Sequence, residues 1–537
     1  MGSCDSIRGT LSSRTASEYL LFCNDFAIDV VIEAEVHTAL RAFLRESGDR
    51  WPHHLTMARL VARALRLGRD ALIQTGVFPA SEERYALSYL MPVLLWPGGA
   101  IAIASESVRK RLLSVEIPQL QQWLGSHKTV VEGDRWPGEN FHGLLLTSPQ
   151  AWLDSKTTEK MRFPTGIPTL IDGADDWEAW TRQALTACIE PGDWTALMEA
   201  RPDFADEVRQ VWIQLTRAVF DRPANPYGGV LLHSEERERL RRSIAAIPEV
   251  PQSWRQFGRR LRSRHSFVWA AIDREGGRFS LYCSPAEVSN ALRPLWKQQP
   301  TVAIGGALGV DRDALMFRQR LGIDDLTCVK FAPDRQHSFV HLYAPEGLPL
   351  PNTPQFRDAL LEELHTLVRI SSSHASTRSN SHEDDLIAIV VGDVPLRAIV
   401  AATLAAEFGS RVRVDTVVRA PRSILVTGWE FWREHQSEFP PPKLLAIATL
   451  PFPSLEDPLV AGRVAYYKQL RKDWFRSYLL PTALSELQRA IASVRNDRGV
   501  VALLDVRAIY RSYGQHVFSA LSPYARIGSP EAGLFEP

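Results

Sequence analysis

The feature that most constrains this chain is a series of short, largely apolar runs set between stretches of helical periodicity. Residues 71–73, 100–104, 143–147 and 169–171 are too short to be helices, and helical spacing lies between them. A strand apolar on both faces needs cover on both faces, and strands joined through helices run parallel. The spacing therefore predicts a parallel sheet with helices on each side. Upstream, Leu40, Phe43 and Leu44, then Met57, Leu60, Val61, Ala64 and Leu65, recur at helical intervals and predict helices between Ala34 and Gly68.

From residue 177 the pattern changes. Residues 177–188, 194–200, 204–219 and 234–247 read as helices joined by Pro-containing turns, which predicts an all-helical insert over 177–265. Residues 266–272, 279–282 and 302–304 read as strands by which the chain re-enters the first sheet. A second α/β series begins near Pro349, with strands at 386–391, 411–416, 423–426, 444–448 and 500–504 and helices at 354–370, 395–408, 481–494 and 509–521. The expected division is a discontinuous first domain (31–176 and 266–348), the insert (177–265) and a second domain (349–537). Residues 1–30 are expected to be an irregular tail and the Ser-rich segment 371–385 a flexible loop.

Sixty-two basic residues balance 62 acidic ones, so the chain as a whole is no electrostatic sleeve for nucleic acid and any such contact must be local. The run Arg255, Arg259, Arg260, Arg262 and Arg264 has two readings, a basic patch or an ordinary solvated helix face. Cys4, Cys23, Cys188, Cys283 and Cys328 have neither Cys-x-x-Cys spacing nor close His partners, which argues against structural zinc, an iron–sulfur cluster or a disulfide framework. Apolar runs such as 89–96 fall short of the roughly 20 residues a membrane span needs. A cytoplasmic protein with no membrane contact is the expectation.

Several segments recur in a telling order. Tyr343-Ala-Pro-Glu-Gly-Leu-Pro349 is followed by Thr427-Gly-Trp-Glu-Phe-Trp432, then Leu450-Pro-Phe-Pro-Ser-Leu-Glu-Asp-Pro-Leu459 and Asp473-Trp-Phe-Arg-Ser-Tyr-Leu-Leu-Pro481. A helix through Gln488 and Arg495, Asp497-Arg-Gly-Val-Val-Ala-Leu-Leu-Asp-Val-Arg507 and Tyr513-Gly514 close the series. Together with two α/β domains and an insert in the first, this order resembles the DinG/XPD branch of superfamily 2 DNA helicases. The resemblance implies an α/β fold of two RecA-like parallel-sheet domains, with Tyr343 to Pro349 as the crossing between them.

It also implies where a motor should sit, and there the chain departs from the pattern. A phosphate loop uses Gly-rich backbone N–H groups, a Lys and a Ser/Thr. Thr75-Gly-Val-Phe-Pro-Ala-Ser-Glu-Glu-Arg84 stands in its place, where only Gly76 fits, Pro79 removes a donor, and Glu82 and Glu83 would repel a triphosphate. In the next motif Asp172 keeps the magnesium-facing position, but Gly173 occupies that of the general base. Asp172-Gly-Ala-Asp175-Asp176 also reads as a turn opening the helix from Trp177. The Ser-Ala-Thr motif of relatives is Gly305-Gly-Ala-Leu308, without hydroxyls, and its glycines are only a weak dinucleotide-loop signal.

In the arginine-finger motif Gln488 and Arg495 persist while Ala492 stands at the first finger; Arg495 reads equally as a helix-end dipole partner. His54 falls where relatives read adenine. The nucleotide contacts implied are thus His54, Gly76, Asp172, Gln488 and Arg495, with Asp172 on Mg²⁺ if ATP binds. No cysteine lies between Gly76 and Asp172, so no iron–sulfur cluster is expected. Trp429 and Trp432 are either stacking platforms for single-stranded DNA or core residues. Three functions follow: a pseudo-helicase that binds single-stranded or forked DNA without turning over ATP, a working helicase on a rearranged site, or an adaptor that docks a protein through the insert.

Overall fold

The computed structural model describes residues 32–531 except 50, 77–83, 158–161, 325, 332–338, 374–384, 418–419, 496–498 and 530. The expected tail over 1–30 and most of the expected loop over 371–385 lie outside the described residues, although Ser371 to Ser373 belong to the preceding helix, Phe356–Ser373.

The first lobe opens with helices α1 (Ile32–Ser47) and α2 (His54–Leu67). Met57, Val61, Ala64 and Leu65 bury one face of α2, and Gly68 ends it at φ 57°, a left-handed conformation that costs a residue without Cβ little. There follow β1 (Ala71–Gln74), α3 (Ala86–Leu95), β2 (Ala100–Ile103), β3 (Val130–Glu132), β4 (Leu144–Thr147), β5 (Thr169–Asp172) and α4 (Trp177–Leu185). The insert contributes β6 (Ala187–Ile189), β7 (Gly229–Leu231), α5 (Gln252–Leu261), β8 (Ser266–Asp273) and β9 (Arg278–Pro285). The first lobe then resumes with β10 (Thr301–Gly305) and β11 (Thr327–Lys330).

All strand pairs of the first lobe are parallel, in the order β11-β1-β10-β5-β2-β4-β3. Because successive side chains point to opposite faces, Leu146 joins Met57 and Leu90 in the core on one side, while Leu145 joins Ile171, Trp152 and Trp177 on the other. The carboxyl ends of β1, β10 and β5 meet at one edge, the place where open parallel sheets bind ligands.

The second lobe is built from β12 (Val340–Tyr343), β13 (Leu386–Val390), β14 (Val412–Val414), β15 (Ser423–Thr427), β16 (Leu444–Ile447), α6 (Pro458–Gln469), α7 (Leu480–Ala490), β17 (Val500–Leu503) and β18 (Tyr524–Ile527). Its sheet is parallel in the order β14-β15-β13-β16-β17-β12-β18. Ala388 and Ile447 face one core, Ile387 and Ala446 the other.

Three expectations need correction. The insert is rich in helices but not all-helical: β6, β9, β8 and β7 form an antiparallel sheet with a core of its own. Consequently the runs at 266–272 and 279–282 do not re-enter the first sheet, which the chain regains only at β10. Their partial alternation of buried and half-buried residues and the tight Asp273 to Arg278 turn, where the Gly276 N–H donates to Asp273 at 2.8 Å, are marks of an antiparallel hairpin. Finally, the crossing between lobes precedes β12, upstream of Tyr343 to Pro349, because β12 pairs with β17 and β18.

Candidate nucleotide site and lobe interface

At the carboxyl end of β1 the backbone turns toward β10. The Thr75 N–H donates to the Gly305 carbonyl at 2.9 Å and the Gly76 N–H to that of Gly306 at 3.2 Å, with Gly76 at φ 72°. Both donors are thus committed to the neighbouring loop. Pro79, Glu82 and Glu83 lie outside the described residues.

The helix after this segment brings Tyr85 and Tyr89 over β5. Their hydroxyls donate to the two carboxylate oxygens of Asp172, at 2.5 and 2.7 Å. All three side chains are buried. Burial pushes the Asp172 carboxyl up, against the pull of both hydroxyls and of Arg111. Burial and the Asp172 charge hold both tyrosines well above their ordinary range, so they remain proton donors. Residues one helical turn apart share a face, and Tyr85 and Tyr89 have this spacing immediately after the phosphate-loop segment. That was the signal in the sequence for an occupied aspartate.

Gly173, at φ 86°, presents no side chain where a base would stand. Asp175 instead accepts from the backbone N–H groups of Gly306 at 2.8 Å and Ala307 at 2.7 Å. Burial raises its carboxyl, opposed by Arg489 and these donors. A Cβ on Gly305 would lie 2.5 Å from Leu308 and 2.7 Å from Asp175, so the loop needs glycine there. The Gly309 N–H donates to Gln74 at 3.1 Å, and Lys330 donates to the carbonyls of Gly309 and Val310 at 2.9 and 2.7 Å. With these donors taken, the glycines serve packing and not a dinucleotide.

The opposing lobe approaches through α7. Arg489 donates through both terminal nitrogens to Asp176, at 3.0 and 3.1 Å, and Ser485 donates to the Ala307 carbonyl at 3.0 Å. Arg495 does not face the first lobe. Helix α7 ends at Ala490, a short turn Ala492–Arg495 follows, and the Arg495 guanidinium caps the carbonyls of Leu521, Ser522 and Pro523 at 2.8 to 3.0 Å. Burial pulls it down to about 10. Arg489, which the family motif did not single out, crosses the interface instead. Gln488 is half-buried, and its Oε1 has no hydrogen-bond partner among the described residues.

In the first turn of α4, Glu178 gathers three arginines. Arg182 lies at 2.6 Å, Arg320 at 3.4 Å, and Arg463 of α6 donates to the same carboxylate. The Arg463 guanidinium also lies 3.7 Å from the Tyr478 ring centroid, and Tyr478 is set by the π-helical turn Phe475–Leu479. Burial opposes the Glu178 charge, but Arg463, Arg320 and Arg182 hold its carboxyl at about 2.

Other expected contacts are core residues. His54 is buried, with Nδ1 2.8 Å from Ser88 and Nε2 2.7 Å from Asp49, so both nitrogens are engaged away from any base. Burial works against the Asp49 charge, yet His54 keeps that carboxyl below its ordinary value. Trp432 is fully buried and donates to the Ala490 carbonyl at 3.1 Å, which removes it as a stacking platform. Trp429 is half-buried, its ring 3.2 Å from where a Cβ on Gly392 would stand. Among the described residues no cluster of His, Cys, Asp and Glu could hold a metal, and no helix is long and apolar enough to cross a membrane.

Residues 442–524 match the family model described as Helicase C-terminal domain. The ATP-dependent DNA helicase YoaA of Escherichia coli (strain K12) is 24% identical over 254 residues, 46% of this chain and 40% of that protein. The protein of the same name from Haemophilus influenzae is 22% identical over 263 residues, 47% of this chain and 40% of that protein. These alignments span less than half of either relative. The solved structure of S. tokodaii Xpd4 matches with a TM-score of 0.55 at 13% identity, covering 89% of this chain and 100% of that one. An XPD helicase structure matches at 0.55 with 8% identity, covering 88% and 99%. At such identities the likeness concerns fold alone, the pair of RecA-like lobes. In its two-lobed fold, its C-terminal match and its partial alignment with YoaA, the chain is similar to DinG/XPD-like superfamily 2 helicases.

Proposed function

We propose that the chain is a pseudo-helicase, a two-lobed body that binds nucleic acid and does not hydrolyse ATP. The observation that carries this reading is Asp172, both of whose oxygens accept tyrosine hydroxyls inside the core. A magnesium ion would need those oxygens, and hydrolysis would need a base where Gly173 stands. The residues present do not fit a magnesium nucleotide. The Asp176 to Arg489 pair closes the edge where the lobes meet. Calorimetry at millimolar Mg-ATP is expected to show no binding heat, and phosphate release is expected not to rise with single-stranded DNA. DNA-stimulated release that disappears in Asp172→Ala would overturn the proposal.

The nucleic-acid half of the reading draws on the matched relatives, named as DNA helicases, and takes single-stranded or forked DNA as the ligand class. With zero net charge the footprint must be local. Arg255 and Arg259 stand exposed on α5, with Arg262 and Arg264 exposed just beyond it. If they touch phosphates, log affinity falls with log salt, and Arg255→Ala with Arg259→Ala lowers the slope by about 1 for each phosphate no longer neutralised. An unchanged slope assigns the run to a solvated helix face. No salt-dependent shift of DNA by the intact chain favours an adaptor that docks a protein through the insert.

A further inference from the structure

The second lobe is tied to the first through Arg489 and Arg463 and to the insert at a third joint. In that joint α6 lies on β7 and β8. A Cβ on Gly462 would fall 2.2 Å from the Phe267 ring, and one on Gly229 would fall 3.1 Å from Pro458. The Tyr466 hydroxyl is 2.6 Å from Nδ1 of His265, and Lys472 pairs with Glu287 at 3.6 Å. Phe267, Ala286 and Tyr466 form a small buried cluster distinct from the cores of both lobes. The residue after Gly462 is Arg463, which reaches Glu178 of the first lobe. One helix of the second lobe is therefore held by the insert and by the first lobe at adjacent residues.

We infer that the insert is a strap that holds the two lobes in a single closed arrangement, so that they do not separate and re-engage as a nucleotide motor's lobes must. Separation at α6 would expose the Phe267 and Tyr466 cluster to water and strip Glu178, 15% exposed, of a cation at the same time. Backbone contact at Gly462 leaves no slack, because packed interfaces shift between discrete arrangements and do not deform continuously. The strap goes beyond the loss of hydrolysis, since a chain without ATPase activity could still open and close.

Hydrogen exchange on the full chain tests it. In the native chain, peptides over 266–273 and 458–469 are expected to exchange as slowly as 386–390 of the second sheet, with or without millimolar Mg-ATP. Gly462→Val drives methyl groups into Phe267 and should speed exchange on both sides of the joint by about tenfold or more, while 71–74 and 500–503 keep their protection. Adding Phe267→Ala makes room for the valine and restores slow exchange at 458–469. Loop-like exchange of the joint in the native chain, acceleration by Mg-ATP, or indifference to Gly462→Val overturns the strap. Mg-ATP binding seen by calorimetry without altered exchange would instead overturn the nucleotide reading and leave the strap standing.

Discussion

Glu178→Ala is expected to destabilise the chain by about 3–5 kcal/mol, the range found when one partner of a buried ion pair is removed. Glu178 is 15% exposed, and Arg182, Arg320 and Arg463 are 10%, 16% and 11% exposed, so three guanidiniums would be left facing one another with little water. The pH dependence points to a similar magnitude. Its carboxyl lies at about 2 against an ordinary 4.5, which at about 1.4 kcal/mol per unit corresponds to about 3 kcal/mol. A depressed acid stabilises the fold above its unfolded value, so this contribution is fully present above pH 4.5 and lost as pH falls toward 2. Urea unfolding of the two proteins at pH 7 and pH 3 checks both the magnitude and the sign. The gap between native and variant should narrow at the lower pH, and an equal gap at both would refute the ion-pair account.

Converting both Tyr85 and Tyr89 to phenylalanine should cost a comparable amount, about 3–5 kcal/mol at neutral pH, since hydrogen bonds to a charged group are worth about 1.5–3 kcal/mol each. The rings remain to fill the core, so the loss isolates the hydroxyls. Burial already raises the Asp172 carboxyl, and without its donors it rises further. A raised acid favours the fold below its unfolded value and loses that contribution as pH rises through the folded one, so the double variant should regain stability on acidification. Adding Asp172→Asn removes the charge and should recover most of the loss at neutral pH. No recovery in that triple variant would mean that the tyrosines act by packing alone. None of these variants should gain ATPase activity, because Gly173 still supplies no base.

Much of the site was legible residue by residue but not as a constellation. Asp172 was identified by its match to a family motif that follows a strand, yet its partners come from the start of a helix more than 80 residues upstream. Gln488 and Arg495 were matched by spacing to an arginine-finger motif. The helix breaks between them, so Arg495 turns into its own lobe while Arg489, adjacent to Gln488, crosses to Asp176. His54 was placed as a base reader by its position in the family pattern, and Asp49 and Ser88 make it a buried structural group instead.

What the amino-acid order determined by itself is the pair of parallel sheets, because strands such as Leu386–Val390 and Leu144–Thr147 are apolar on both faces and lie between helices. It also determined that no Gly-Lys-Ser/Thr run stands at 75–84 and that glycine follows Asp172, which are local identities. Only the tertiary structure decided that the insert closes its own antiparallel sheet, that Tyr85 and Tyr89 occupy Asp172, and that Arg489 and Arg463 join the lobes. Those outcomes depend on which distant donors and acceptors come within about 3 Å of one another in a dry interior, and separations of tens to hundreds of residues leave no periodic trace in the chain.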